Sequence, residues 1–272
     1  MPASLPNVTL ACFALSYALA FALELAGLRR PRPGLRYAGL AAGAAGLSAH
    51  TLFLAFRHPT PATAYGALLA VAWVLAIFYL YGSIHHAKRA WAVFVLPVVL
   101  GLVALAFATG STEETQELPW EDGARIWGAV HGLFLLLAAV GVSVGAVASA
   151  MYLIQARRLR RKQLPFGRMK MLSLERLEAM NRRAVNLAFP LLTVGLLLGA
   201  VLLRHYHDFT DHWLSIKFLG TVGLWVVFLV LTYLRYAVTL PGRRLAMLTL
   251  ATFVLMLLVL VAGHPFVRGD SA

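Results

Sequence analysis

Long apolar segments alternate with short polar segments along the whole chain. Each apolar segment has roughly the 20 residues that an α-helix needs to cross a hydrocarbon layer of about 30 Å. The pattern therefore predicts an all-α fold, a polytopic transmembrane helical bundle of about eight spans. The predicted spans are Asn7–Leu28, Tyr37–Phe56, Ala62–Gly82, Trp91–Thr109, Trp127–Gln155, Ala184–Leu203, Leu214–Tyr236 and Leu245–Gly263.

The polar segment between the fifth and sixth spans predicts the orientation of the bundle. Residues 157–183 read RRLRRKQLPFGRMKMLSLERLEAMNRR, which is too basic to cross a bilayer and is therefore expected in the cytoplasm. With this loop inside, the other basic loops also lie inside, and the acidic stretch Ser111–Asp122 lies outside. Both termini are then predicted to lie outside.

The second part of this basic loop has two interpretations. Met171, Leu174, Leu177 and Met180 recur at helical spacing around Ser173, which is typical of a short amphipathic helix on the inner membrane surface. The alternative is a solvated loop whose positive charges only determine topology. The sequence leaves both open.

Small residues at one-turn spacing predict close contacts between spans. Gly39 with Gly43, and Gly195 with Gly199, are pairs of this kind, and a third series runs from Gly141 through Gly145 to Ser149. Residues without bulky side chains let the backbones of membrane helices approach each other.

Composition supports a membrane protein formed by one integral membrane domain, residues 1–272. The chain is 60% hydrophobic and 13% charged, whereas soluble domains average about 25% charged residues. The net charge of +13 is compatible with nucleic-acid binding. Because the positive residues cluster in alternate loops, however, topology explains them better. We therefore expect the lipid bilayer as a partner and no nucleic acid.

The side chains available exclude several kinds of chemistry. Cys12 is the single cysteine, which excludes an internal disulfide, a CxxCH haem attachment site and a cysteine-ligated iron–sulfur cluster. The sequence has no glycine-rich phosphate loop and no histidine–glutamate metal motif. Glu24 is the one acidic residue inside an apolar span, which disfavours an ion-coupled transporter.

Histidine is the residue type that remains. Under the predicted topology His50, His131 and His264 lie towards the outer ends of separate spans. Two imidazoles from different helices at equal depth can ligate haem iron from both sides, so His131 and His264 form a candidate pair, with His50 in reserve. The alternatives are hydrated interfacial histidines for the pair and a hydrogen bond between two helices for His50. The loop residues His205, His207 and His212 are expected to be solvated.

The second half of the chain resembles a known family. The span AVHGLFLLLAAVGVSVGAVASAMYLIQ precedes the basic loop and then LSLERLEAMNRRAVNLAFPLLTVGLLLGA. DHWLSIKFLGTVGLWVVFLVLTYLRY and GRRLAMLTLATFVLMLLVL follow. In this order the segments, Trp127 to His264, resemble the cytochrome c assembly family with its CcsA/ResC-like and HemX-like membrane proteins. The first half resembles it mainly in span count and in a histidine like His50.

The resemblance implies a function. Family members handle haem at the outer face of the membrane, and the synthase members deliver it to apocytochrome c. It implies haem b as the cofactor, with His131 and His264 as ligand candidates. It also implies other cytochrome c maturation membrane proteins as partners and the bacterial cytoplasmic (inner) membrane as the location.

Two departures from the synthase pattern favour an accessory role over an enzymatic one. The tryptophan-rich signature of the synthases is reduced here to HYHDFTDHWLSIK, in which Trp213 and Lys217 remain. Arg235 stands where many relatives have a histidine. The alternative function is therefore a HemX-like regulatory or scaffolding membrane protein without bound haem.

Overall fold

The computed structural model consists of α-helices, with no strand in the part of the chain that it describes. That part comprises residues 9–30, 32–59, 61, 63–85, 91–110, 122–162, 172–206, 216–237 and 240–262. Its helices are α1 (Leu10–Arg29), α2 (Pro33–Arg57), α3 (Ala64–His85), α4 (Trp91–Thr109), α5 (Asp122–Arg160), α6 (Leu174–Tyr206), α7 (Ile216–Ala237) and α8 (Gly242–Ala262). All eight are long and apolar enough to cross a membrane, which confirms the predicted all-α bundle.

Consecutive helices run antiparallel. Near the beginning of α1, Phe13 contacts His50 and Phe53 in the second half of α2, and near the end of α1, Glu24 lies against Gly39 in the first turns of α2. The α5–α6 pair is also antiparallel. His131, early in α5, contacts Gly195 late in α6, whereas Gly145, further along α5, contacts Asn181 near the beginning of α6. Odd-numbered helices therefore end where even-numbered helices begin.

The antiparallel arrangement collects positive charge at one end of the bundle. At this end, here called the basic end, α1, α3, α5 and α7 finish and α2, α4, α6 and α8 begin. It carries, among others, Arg29, Arg36, Arg157, Arg182 and Arg243. The positive-inside rule predicts that the basic end faces the cytoplasm, and the other end is called the opposite end below.

The helices form two groups. In the first half α1 packs on α2 and α3 packs on α4, and in the second half α6 and α8 both pack on α5. Contacts of α3 with α5 and α8, and of α4 with α5, join the two groups. In α3 and α5, 50% of the most apolar 18-residue segment of the helix is buried, compared with 17% in α1 and α7. The latter two helices therefore lie at the periphery.

Glycines make room for aromatic side chains and for neighbouring backbones. A Cβ at Gly43 would lie 2.6 Å from Cε1 of Tyr79, so the α2–α3 contact requires a glycine there. At Gly141 a Cβ would lie 3.0 Å from Cβ of Ala188 on α6. These contacts agree with the predicted role of small residues in helix packing.

The amphipathic segment after the basic loop is the beginning of α6. The backbone N–H of Arg176 donates to Oγ of Ser173, which caps the helix that begins at Leu174. Leu177 is fully buried, and Leu174 and Met180 are half-buried. The predicted helix is confirmed, but it forms the first turns of α6 instead of a separate helix on the membrane surface. The alternative of a solvated loop is wrong for these residues. Met171 lies outside the described residues.

Candidate functional site

His131 lies in α5 and packs against α6 near the opposite end of the bundle. Its Nδ1 lies 2.7 Å from the carbonyl oxygen of Gly195. A carbonyl oxygen can only accept a hydrogen bond, so Nδ1 carries the hydrogen and donates it. In the neutral ring the lone pair is then on Nε2. Histidines that bind metals commonly donate their other N–H to a carbonyl in this way, because the bond fixes the tautomer and the ring orientation.

Two glycines of α6 make room for this arrangement. A Cβ at Gly199 would lie 2.7 Å from Cε1 and 3.1 Å from Nδ1 of His131, so no larger residue fits there while the ring keeps its position. One turn earlier, a Cβ at Gly195 would lie 2.7 Å from Cδ2 of Leu135. The Gly195–Gly199 pair, predicted from its spacing to mediate helix packing, thus leaves room for the imidazole at Gly199 and for the side chain of Leu135 at Gly195.

His50 lies in α2 and is fully buried against α1. The ring of Phe13 stacks on its imidazole with a centroid distance of 4.2 Å and an interplanar angle of 1°. Nδ1 lies 3.4 Å from the hydroxyl of Tyr17, and Nε2 is buried with no hydrogen-bond partner among the described residues. The Tyr17 contact corresponds to the helix-bridging alternative considered above.

The tautomer of His50 is not determined by its partner. A tyrosine hydroxyl can donate or accept, so the hydrogen of the neutral ring can be on Nδ1 or on Nε2. Of these two histidines, His131 is therefore the one whose hydrogen bond leaves the lone pair of the neutral ring on Nε2. The structure also holds the two rings in different helix pairs, since His50 contacts α1 and His131 contacts α6.

The remaining predicted ligand, His264, lies outside the described residues, as do His207 and His212 and the side chain of His205. In the described part of the chain, no group of three or more His, Cys, Asp or Glu side chains is positioned to hold a metal ion. A bis-histidine haem site requires only two imidazoles from the protein.

A second polar site, which was not predicted from the sequence, lies towards the basic end. The amide nitrogen Nδ2 of Asn181 lies 3.1 Å from the carbonyl oxygen of Gly145, 2.6 Å from Oγ of Ser149 and 3.1 Å from Oγ1 of Thr249, and it shares its two hydrogens among these three acceptors. Its oxygen Oδ1 accepts a hydrogen bond from Nη2 of Arg235. This node joins α5, α6, α7 and α8 in the buried part of the second half.

Part of this node was visible in the sequence. Ser149 continues the small-residue series of Gly141 and Gly145, and Arg235 was recognised as a departure from the family pattern. Asn181 was not recognised because it lies in the basic loop sequence, three residues before the predicted start of the sixth span. Its role follows only from the continuation of α6 through this segment.

Comparison with known proteins gives one match. A sequence model described as cytochrome C assembly protein matches residues 62–262, which is most of the chain. The matched segment begins just before α3 and reaches the end of α8, so it contains His131 and Asn181 but not His50. It also starts further towards the N-terminus than the resemblance noted in the sequence. None of the curated proteins and none of the solved structures compared with the chain matches it.

Proposed function

The chain belongs to the cytochrome c assembly protein family, and from that membership we propose that it binds haem at the outer face of the membrane for cytochrome c assembly. Membership itself supports a role in cytochrome c biogenesis, and the eight apolar helices make the chain an integral membrane protein. The finer proposal concerns the cargo, the side of the membrane and the ligands. Its location is the bacterial cytoplasmic membrane, where other cytochrome c maturation membrane proteins are its partners.

One observation carries this proposal. The imidazole of His131 is fixed through Nδ1 by the carbonyl of Gly195, which directs the Nε2 lone pair away from the hydrogen bond. That is the arrangement expected of a histidine that would hold haem iron. His131 lies about 8 Å along α5 from Ile126, where the candidate span begins, so the ligand would lie near one membrane surface.

The register of α5 and α8 supports His264 as the second ligand. These helices contact each other where a Cβ at Gly145 would lie 3.3 Å from Cγ2 of Thr249. From Gly145 to His131 the distance along α5 is about 21 Å, and from Thr249 to Ala262 along α8 it is about 20 Å. Both paths lead to the opposite end. The end of α8, which His264 follows in sequence, is therefore at nearly the same height as His131.

His50 is the reserve ligand in this proposal. It lies about 10 Å from the end of α2 at Arg57, which is also at the opposite end, and its Nε2 has no hydrogen-bond partner in the described residues. Haem, when bound, would supply an iron ion that the imidazole nitrogens of these histidines would hold. The protein contributes the imidazoles and the apolar surroundings.

The test is the absorption spectrum of the full chain purified from a haem-replete host. We expect a low-spin haem spectrum in the wild type, weakened in His131→Ala and in His264→Ala and lost in the double variant. His85→Ala is a matched control, because His85 also has Nδ1 near a backbone carbonyl, 2.9 Å from Tyr81 O, but lies exposed at the basic end. It should leave the spectrum unchanged.

Two results would contradict the proposal. If the double variant keeps the full wild-type spectrum, the ligand assignment is wrong, and His50→Ala becomes the next variant to measure. If the wild type binds no haem, the regulatory or scaffolding function without haem replaces the haem-handling function.

A further inference from the structure

Arg235 is an arginine that is only partly satisfied by its neighbours. It lies near the end of α7, and its Nη2 donates to Oδ1 of Asn181. The other two nitrogens of the guanidinium, Nε and Nη1, are buried and have no hydrogen-bond partner among the described residues. Buried N–H groups of a cation are costly unless an acceptor, preferably one with negative charge, meets them.

The contact with Asn181 is fixed by the surrounding hydroxyl groups. Ser149 Oγ donates to the carbonyl of Gly145, and Thr249 Oγ1 donates to the carbonyl of Leu245, so both hydroxyls have used their single hydrogen. Towards Asn181 they can therefore only accept, which requires the amide nitrogen to face them. The amide oxygen is then left to face Arg235. The guanidinium is thus anchored by a network and is not a freely moving surface group.

The charges around Arg235 do not complete this network. Glu178 and Arg182 on α6 and Tyr236 on α7 lie within electrostatic range of the guanidinium. Glu178 is exposed and accepts no hydrogen bond from Nε or Nη1. Further positive charge is near in sequence, because α8 begins at Gly242 and continues with Arg243 and Arg244. Positive charge therefore exceeds negative charge here.

Thr232 offers a further donor on the same helix. It precedes Arg235 by about one turn, so both side chains lie on one side of α7. Its Oγ1 is buried and has no hydrogen-bond partner in the described part of the chain. A hydroxyl and a guanidinium at this spacing are groups that bind the oxygens of an oxyanion.

We propose that Arg235, held by Asn181 and assisted by Thr232, binds a phosphate group at the basic end of the second half. Phosphate has several acceptor oxygens and more than one negative charge, which matches the unpaired N–H groups and the excess of arginines. The site is near the helix ends, at the depth where the headgroups of lipids lie. The phosphate can belong to an anionic phospholipid or be free in solution. This inference does not depend on haem binding at the opposite end.

The experiment measures the melting temperature of the full chain. In the first arm the protein is in neutral detergent, and phosphate replaces chloride stepwise at constant ionic strength. The second arm compares nanodiscs of phosphatidylcholine with nanodiscs that also contain phosphatidylglycerol. We expect a saturating rise of roughly 5 °C in at least one arm, since a ligand that binds only the folded state stabilises it. A rise in the first arm identifies free phosphate, and a rise confined to the second identifies the lipid headgroup.

Arg235→Gln should abolish the rise, and Arg235→Lys should shift its half-saturation to at least about tenfold higher concentration, because lysine lacks the planar donor group. Arg29→Gln is the matched control, because Arg29 is an exposed arginine at the same end that lies in the first half of the bundle, and it should retain the response. The wild-type arms test the proposal even if Arg235→Gln does not fold. It is overturned if chloride or acetate acts as well as phosphate and phosphatidylglycerol has no effect, or if Arg235→Gln responds like the wild type.

Discussion

Gly199 on α6 has no Cβ, and the space that this leaves determines where the imidazole of His131 can lie. Spacing alone predicted that Gly195 and Gly199 would bring helices together, which the structure bears out. The spacing could not show that the group entering the recess at Gly199 is an imidazole, since that depends on the register between α5 and α6. The register is set by the packing of both helices along their whole length.

The residue-scale prediction is that Gly199→Ala weakens haem binding roughly tenfold, as expected for loss of a group that orients a ligand. The added methyl group would lie 2.7 Å from Cε1 of His131, so the ring must move away and its hydrogen bond to Gly195 must lengthen or break. Haem titration monitored by absorption measures the effect.

Gly132→Ala is the matched control for this substitution. Gly132 is the neighbour of His131 in α5, and a Cβ there would meet no atom within 4 Å. It should bind haem like the wild type. Equal affinity of Gly199→Ala and the wild type would show that the orientation of His131 is not needed for haem binding.

The two longest helices show where the hydropathy pattern is informative and where it is not. Segments without charged residues predicted that α5 and α6 span the membrane over Trp127–Gln155 and Ala184–Leu203. The helices themselves run from Asp122 to Arg160 and from Leu174 to Tyr206. Hydropathy follows the change from lipid to water, but a helix continues past this boundary when other helices pack on it. The buried side chain of Leu177 provides such packing outside the predicted span.

The element-scale prediction concerns this extension of α6. Leu177→Asp should lower the free energy of unfolding by roughly 3 kcal/mol or more, since it places a charge in a fully buried position. Thermal or denaturant unfolding in detergent, followed by circular dichroism, measures the change. A separate surface helix would instead lose membrane association while the bundle stayed intact.

Leu159→Asp provides the comparison, because Leu159 is 61% exposed near the end of α5, also at the basic end. It should change the unfolding free energy by no more than about 0.5 kcal/mol. If Leu177→Asp is equally mild, the first turns of α6 are not packed against the bundle in solution.

At the scale of the whole molecule, the matched family segment divides the two described candidate histidines. Residues 62–262 begin just before α3, and α3 is the helix through which the first half contacts both α5 and α8. His131 lies inside the matched segment, whereas His50 lies in α2, before that segment begins. Family membership therefore supports the proposed haem ligation by His131 more directly than that by His50.

The sequence was sufficient for the number of helices, the alternation of charge and the location of His131. It was insufficient for the node of Asn181 and Arg235, because four helices must be docked before these residues meet. The burial of His50 could not be predicted for the same reason. Its burial by Phe13 and Tyr17 depends on how α1 lies against α2, which no local pattern in either helix specifies.

The last prediction concerns the side of the membrane that each end of the bundle faces. Reporter fusions at Arg160, where α5 ends, should be active only in the cytoplasm, and fusions at Glu117 only outside, because moving the arginines of the basic end across a bilayer is costly.

Replacing Arg157, Arg158, Arg160 and Arg161 together with glutamine should increase the fraction of inverted molecules, while the same change at the single residue Arg57 of the opposite end should not. A reporter at Arg160 that is active outside would invert the assignment. It would place His131 at the cytoplasmic face, where the proposed delivery of haem to the outer side could not take place.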